Sequence, residues 1–142
     1  MRATAAVVIA CLSTGCVFGM NAKKFKPAQT PHGVHATVVT PTGPFSGELI
    51  EVREAALVLL ADEGSAAAPA SKRLRMIPFT SVQRAEFEQL GSDVRLEGGR
   101  APSPSVRERL RLVSRFPYGT PPGVEEALLK AYGQAAFGGA DR

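Results

Sequence analysis

The chain has 142 residues, of which 44% are hydrophobic and 21% charged, and its formal net charge at pH 7 is +4. This length allows one domain with appendages, and the composition is ordinary for a globular domain. The 14 glycines and 11 prolines predict short strands and turns, which excludes a fold of long helices. The small positive charge is compatible with contact to anionic lipid or polymer, but it does not indicate nucleic-acid binding.

The first 16 residues, M-R-A-T-A-A-V-V-I-A-C-L-S-T-G-C, indicate where the protein resides. Arg2 is positively charged, the run from Ala3 to Leu12 is apolar, and the small residues 13–15 precede Cys16. The apolar run is too short for a permanent membrane span and has the length of the apolar part of a signal sequence. The segment resembles a bacterial lipoprotein signal, with residues 1–15 as the signal peptide.

The resemblance implies a lipid on Cys16. In lipoproteins the cysteine thiol receives diacylglycerol, the chain is cut before the cysteine, and the new amine is acylated. The residues before Cys11 fit the recognition sequence of lipoprotein signals, but cleavage before Cys11 would leave a very short signal peptide. Cys16 is therefore the expected site. An ordinary cleaved signal peptide is the main alternative. Because Val17 stands where an inner-membrane lipoprotein typically has Asp, the resemblance points to the outer membrane, facing the periplasm, with the inner membrane as the other choice.

Residues 16–32 are predicted to form the lipidated tether. Within it, residues 21–31 contain three lysines, two prolines and few apolar residues, which is typical of a linker that does not fold on its own. The lysines could rest on anionic headgroups near the anchor. A solvated linker is the preferred interpretation.

Residues 33–97 are predicted to form a small β-barrel. The strands are expected near residues 33–40, 45–52, 56–61, 72–79 and 83–88. The apolar residues of the second strand do not alternate cleanly, which indicates a bend or bulge near Gly47. Ala56 to Ala61 is continuously apolar, as expected for a strand buried on both sides. A brief extra strand is conceivable within residues 93–96.

Two short motifs in this region resemble those of Sm-like and SH3-like small barrels. The residues that carry the resemblance are Gly47, Leu49 and Val52 in the first motif, and Ile77, Pro78, Val82 and Ala85 in the stretch that closes such barrels. The resemblance implies five strands in a closed barrel. Arg53 and Leu57 stand where Sm proteins have the Asp and Asn of their RNA-binding loops, so nucleic-acid binding is not expected.

Residues 98–142 are predicted to be a linker followed by two helices. The first helix, from Ser105 to Phe116, would have a capping box of Ser105 and Glu108, with a strand as the competing interpretation. The second would begin with Thr120 as N-cap and end at Gly133. The hairpin is expected to cap the barrel, and residues 138–142 to fray. The fold class is therefore mainly β with C-terminal helices (α+β).

No catalytic group, metal site or cofactor is predicted. The only histidines, His32 and His35, lie at the entry to a strand, where residues three apart point to opposite faces, and zinc needs about three or four protein ligands. The serine and threonine hydroxyls lack a neighbouring base. The three glutamates Glu48, Glu51 and Glu54 are interpreted as a solvated face. The chain is therefore predicted not to be an enzyme.

The strongest charged feature is a run of arginines, namely Arg107, Arg109, Arg111 and Arg115. Guanidinium groups bind phosphate and carboxylate, so the run is a candidate contact for an anionic partner. The preferred interpretation is the polar side of an amphipathic helix.

Together these features predict a non-catalytic envelope lipoprotein. The lipid would hold it on the membrane, and the barrel would bind an unknown envelope protein or support assembly. The alternatives are an Sm-like nucleic-acid-binding protein and, in third place, a hydrolase acting on envelope polymers.

Overall fold

The computed structural model describes residues 32–64, 71–92 and 94–140. The signal peptide, Cys16 and almost all of the predicted tether lie outside these residues, as does most of the loop between the third and fourth strands.

The described chain is mainly β, with two helices near its C-terminal end, as predicted. The strands are β1 His35–Thr40, β2 Gly43–Val52, β3 Ala56–Glu63, β4 Ser71–Pro78, β5 Arg84–Phe87 and β6 Leu96–Glu97, and a 3-10 turn spans Phe79–Ser81. The helices are α1 Pro104–Val113 and α2 Val124–Ala131.

The six strands form one antiparallel sheet in the order β4-β3-β2-β1-β5-β6. The prediction of a closed five-stranded barrel is not confirmed, because a sixth strand is present and the sheet is open. Strands β4 and β6 are its two edges. The sixth strand overlaps the segment 93–96 in which the sequence allowed a brief extra strand.

The sheet cannot be flat, because the link between β4 and β5 is short. In a flat sheet, four strand spacings of about 4.8 Å would separate these strands by about 19 Å. Residues 79–83 join them and begin with the 3-10 turn, so the link reaches only about 16 Å. Ile77 of β4 and Ala85 of β5 accordingly lie in the same buried cluster.

The irregularity predicted in β2 is present, but it lies after Gly47. The pairing register with β3 shifts between Leu49 and Glu51, so Ile50 is the extra residue. The bulge changes the side-chain parity, which lets both Leu49 and Val52 reach the inner cluster while Ile50 joins the outer one. Gly47 has a separate role, since a Cβ there would lie 2.1 Å from the carbonyl oxygen of Leu60.

Each face of the sheet carries its own apolar cluster. The inner cluster contains Leu57 and Leu59 and is covered by α1 through Leu110 and Val113. The outer cluster contains Val58 and Leu60 of β3. Its other members come from β2, β4, the residues after α1, α2 and the residues after α2, namely Ile50, Leu74, Phe116, Leu128, Leu129, Tyr132 and Phe137. Strand β3 is thus buried on both sides, which confirms the prediction from its continuous apolar run.

Both predicted helix caps are wrong. Helix α1 begins at Pro104, and the hydroxyl of Ser103, rather than Ser105, accepts a hydrogen bond from the Val106 N–H at 3.4 Å. The sequence Ser-Pro favours this choice, because proline is well suited to the first helical position and fixes the cap one residue before it. The helix ends at Val113, earlier than the predicted Phe116.

Helix α2 begins at Val124, after Gly123 in the left-handed conformation with φ of 78°. Thr120 does not cap it. Its hydroxyl donates to a carboxylate oxygen of Glu51 at 2.9 Å, a long-range contact that no local rule anticipates. The first turn of this helix carries Glu125 and Glu126, which lie at the positive end of the helix dipole.

The expectation that the chain frays from residue 138 is wrong for residues 138–140. Gly138 forms a parallel bridge with Arg75 at the edge of β4. The edge is therefore covered by residues after α2, while the two helices lie on the faces of the sheet.

Candidate functional site

The arginines singled out in the sequence lie on α1 and directly after it, facing carboxylates of β2 and the β2–β3 turn. Arg107 donates a hydrogen bond to Glu54. Arg111 lies 4.0 Å from both Glu54 and Glu108 and donates to the carbonyl oxygen of Val52 at 3.3 Å. Arg109 is half-buried on the same helix. These contacts use the arginine charges to hold α1 against the sheet.

Arg115 forms the most shielded ion pair of this group. Its Nε donates to Oε1 of Glu48 at 2.7 Å and its Nη2 to Oε2. The same Oε1 accepts the N–H of Gly33 at 2.7 Å, and Nη2 of Arg115 lies 3.2 Å from Nδ1 of His32. The two charged side chains are only 14% and 18% exposed, so the two-point pair is stronger than a surface one. It clamps the start of the described chain to the end of α1.

A second charged cluster fixes α2 and the following residues to β2. Arg53 donates to Glu125 at 2.6 Å and to Glu51 at 3.2 Å, and its guanidinium lies 5.1 Å from the centre of the Phe137 ring. Partial burial lowers the pKa of Arg53, but the hydrogen bond to Glu125 and the charge of Glu51 outweigh burial and raise the pKa above its ordinary value. Arg53 therefore remains charged and bound to both carboxylates.

The prediction of a solvated glutamate face is wrong for two of its three members. Glu48 and Glu51 are each 14% exposed, whereas Glu54 is 81% exposed. Each carboxylate has an arginine partner. The carboxylates of Glu48 and Glu51 are therefore held in shielded ion pairs rather than left in solvent.

The two histidines contact different carboxylates. His32 lies 3.8 Å from Glu48, and His35 lies 3.7 Å from Glu88. Across residues 32–64, 71–92 and 94–140, no group of three His, Cys, Asp or Glu side chains is placed to hold a metal ion.

An open cleft of about 420 Å³ lies between the start of β2 and the β3–β4 hairpin. Its floor contains Arg75, which is only 7% exposed and stacks on Phe45 with 4.7 Å between guanidinium and ring centre. Arg75 also donates to Glu63, and Arg73 lies 3.8 Å from the same carboxylate. Sequence reasoning missed Arg75, because an arginine between apolar residues in a strand looks like a solvent-facing position.

The edge of β4 carries the most extensive contacts with residues after α2. We name residues 134–140 the C-terminal strap. The side-chain amide of Gln134 bonds both backbone groups of Leu74, and backbone bonds join Gly138 to Leu74 and Met76. No sequence signal pointed to this contact, since the strap is short and rich in Gly and Ala.

The proposed lipid-attachment residue, Cys16, lies outside the described residues, so no contact of it can be stated. Within the described part of the chain, neither helix has the length and apolar character that crossing a membrane requires.

Comparison with known proteins gives no relative from which a function could be transferred. No protein-family model, curated protein or solved structure matches the chain.

Proposed function

We propose that the chain is a non-catalytic envelope lipoprotein. In this proposal Cys16 carries the lipid, residues 16–32 are the tether, and the folded part is a protein-interaction or assembly module. The membrane is one partner, through the lipid, and an envelope protein is the other. The outer membrane, with the module facing the periplasm, is the proposed location.

The anchor half of the proposal is supported by the sequence alone. A positive residue, a short apolar run and small residues before Cys16 occur in the order of a lipoprotein signal. Each buried CH₂ of an acyl chain contributes about 0.8 kcal/mol, and two or more chains bind stably to a membrane.

The non-catalytic half is carried by one observation, the pairing of three neighbouring carboxylates with arginines. Glu48 and Glu51 on β2 bind Arg115 and Arg53, and Glu54 in the turn after β2 binds Arg107. Their geometry serves to dock α1, α2 and the chain start on the sheet, which is a scaffolding role.

We also propose that the curved sheet is a variant of the Sm-like or SH3-like small barrel. The support is that β5 follows β4 after a single 3-10 turn and pairs with β1. The proposal concerns the fold only, because Arg53 and Leu57 replace the RNA-binding residues of Sm proteins.

The experiment that tests the function is metabolic labelling with a clickable palmitate analogue. The full chain is expressed in a bacterial host that matures lipoproteins, as the unmodified sequence and with Cys16→Ala or Cys11→Ala. We expect the unmodified chain to be labelled in the membrane fraction, Cys16→Ala to lose all label, and Cys11→Ala to keep it.

Cys11→Ala is the matched control, since it removes the other thiol of the same leader. Label that survives Cys16→Ala would contradict attachment at Cys16. Absence of label from the unmodified chain, in a host that labels a known lipoprotein, would contradict the anchor altogether.

A further inference from the structure

The strap binds β4 as an added strand would. The N–H of Gly138 donates to the carbonyl oxygen of Leu74 at 3.0 Å, and the N–H of Met76 donates to the carbonyl oxygen of Gly138 at 2.9 Å. Arg75 donates from Nη1 to the carbonyl oxygen of Gly139 at 2.8 Å. These bonds use backbone groups of the strap, as in recognition of an extended peptide at a sheet edge.

Gln134 extends the same pattern with its side chain. Its Oε1 accepts the N–H of Leu74 at 2.7 Å, and its Nε2 donates to the carbonyl oxygen of Leu74 at 3.0 Å. A primary amide therefore takes the place of a peptide group at the strand edge. Gln134 is only 8% exposed, so both bonds are shielded from water.

The strap also passes close to Arg75. A Cβ on Gly138 would lie 3.4 Å from Cγ of Arg75, which is ordinary van der Waals contact. Ala140 packs against the inner cluster, and its carbonyl oxygen accepts a hydrogen bond from the hydroxyl of Thr42. The site thus holds an amide side chain and, four positions later, the backbone of Gly138.

The strap buries less apolar area than the strands. Ala135 and Ala136 are exposed, and Phe137 and Ala140 are only partly buried where they pack on the outer and inner clusters. Segments held by a few hydrogen bonds and little apolar area open at a lower free energy than the core. Gly133, with φ of 65°, stands between α2 and the strap and can change conformation without the penalty that a side chain would impose.

We propose that the edge of β4 is a strand-binding site and that its partner is the strap of a second copy of this chain. The strap occupies its own β4 in the monomer and the neighbour's β4 in an exchanged dimer. Each copy carries the one segment whose fit to this edge is visible, which is why a second copy is the occupant. The inference rests on the proposed role as an assembly module, but it does not need the lipid.

The test is an NMR titration of the full chain carrying Cys16→Ala with a synthetic peptide of residues 133–140. The peptide competes with the chain's own strap, which has the advantage of a high effective concentration. We therefore expect weak binding, in the millimolar range, with shifts at the amides of Leu74 and Met76.

Gln134→Ala in the chain weakens the competing strap, so the unmodified peptide should bind this variant at least tenfold more tightly. The same change in the peptide should weaken its binding to the Gln134→Ala chain at least tenfold. Gln83→Ala in the chain is the control, because this exposed glutamine pairs its backbone with Val39 and Gly98 rather than with Leu74 or Met76, and it should leave peptide affinity unchanged.

Two further measurements keep the test decisive if Gln134→Ala unfolds the chain. In the chain without that substitution, hydrogen exchange at Met76 should be at least tenfold faster than at Leu59 of β3, and light scattering should show a dimer fraction that rises with concentration. Equal exchange at the two amides, a strict monomer at millimolar concentration, or no peptide shift at Leu74 and Met76 would each overturn the proposal. Loss of palmitate label would leave these results unaffected, so the two proposals fail separately.

Discussion

Glu48 is a residue that joins three separate parts of the chain. Its carboxylate, on β2, binds Arg115 after α1 and the N–H of Gly33 before β1. Removing one partner of a shielded ion pair leaves the other charge without compensation.

We therefore predict that Glu48→Ala lowers the free energy of unfolding by about 2–3 kcal/mol, since the pair is partly shielded and a backbone donor is also lost. Urea unfolding followed by circular dichroism measures the change.

Glu86→Ala is the matched control on β5. Glu86 is 53% exposed and lies 3.9 Å from Arg84 and from Arg95. Exposed pairs of this kind contribute about 0–1 kcal/mol, so the control should change stability little. A loss for Glu48→Ala no larger than that of the control would contradict the clamp.

At the scale of elements, α1 begins between two serines, and sequence rules rank both almost equally as the N-cap. Ser103 accepts the Val106 N–H, whereas the sequence pattern favoured Ser105. N-cap serines stabilise a helix by about 1 kcal/mol.

Ser103→Ala should therefore cost about 0.5 kcal/mol in urea unfolding, at the low end of the usual range because the hydrogen bond is long and exposed. Ser105→Ala should be nearly neutral, since alanine is a good helix former within the first turn. The reverse order of the two losses would show that the helix starts at the later serine.

The elements that could be predicted are those with a local pattern. Continuous apolar sequence identified β3, alternation identified β5, and broken alternation indicated the irregularity of β2. The bulge itself lies at Ile50, because the register depends on how β2 meets β3. Thr120 was misassigned because its hydroxyl has a better partner, Glu51, 69 positions away in the chain.

At the scale of the whole molecule, the parts of the candidate site that could not be predicted are the long-range ones. The arginine run was visible in the sequence, but its pairing with glutamates of β2 depends on α1 lying across that strand. The open sheet and the contact between the strap and β4 could not be predicted for the same reason. A Gly-rich segment has no hydrophobic periodicity from which a strand could be predicted, and the structure of the strap depends on its contacts with the edge of β4.

The molecule as a whole is organised around β2 and β3. Helices cover both faces of the sheet and the strap covers one edge, so the described chain uses its charged and polar groups mainly to hold these pieces together. Under the proposed function, the sheet edges are the surfaces through which the module would bind a partner.

The most direct test of the central claim is the intact mass of the mature protein purified from bacterial membranes. The account predicts a chain that begins at Cys16 and carries the added mass of a diacylglyceryl group, with a further acyl chain on the new amine. A protein that retains Met1 and has an unmodified Cys16 would contradict it.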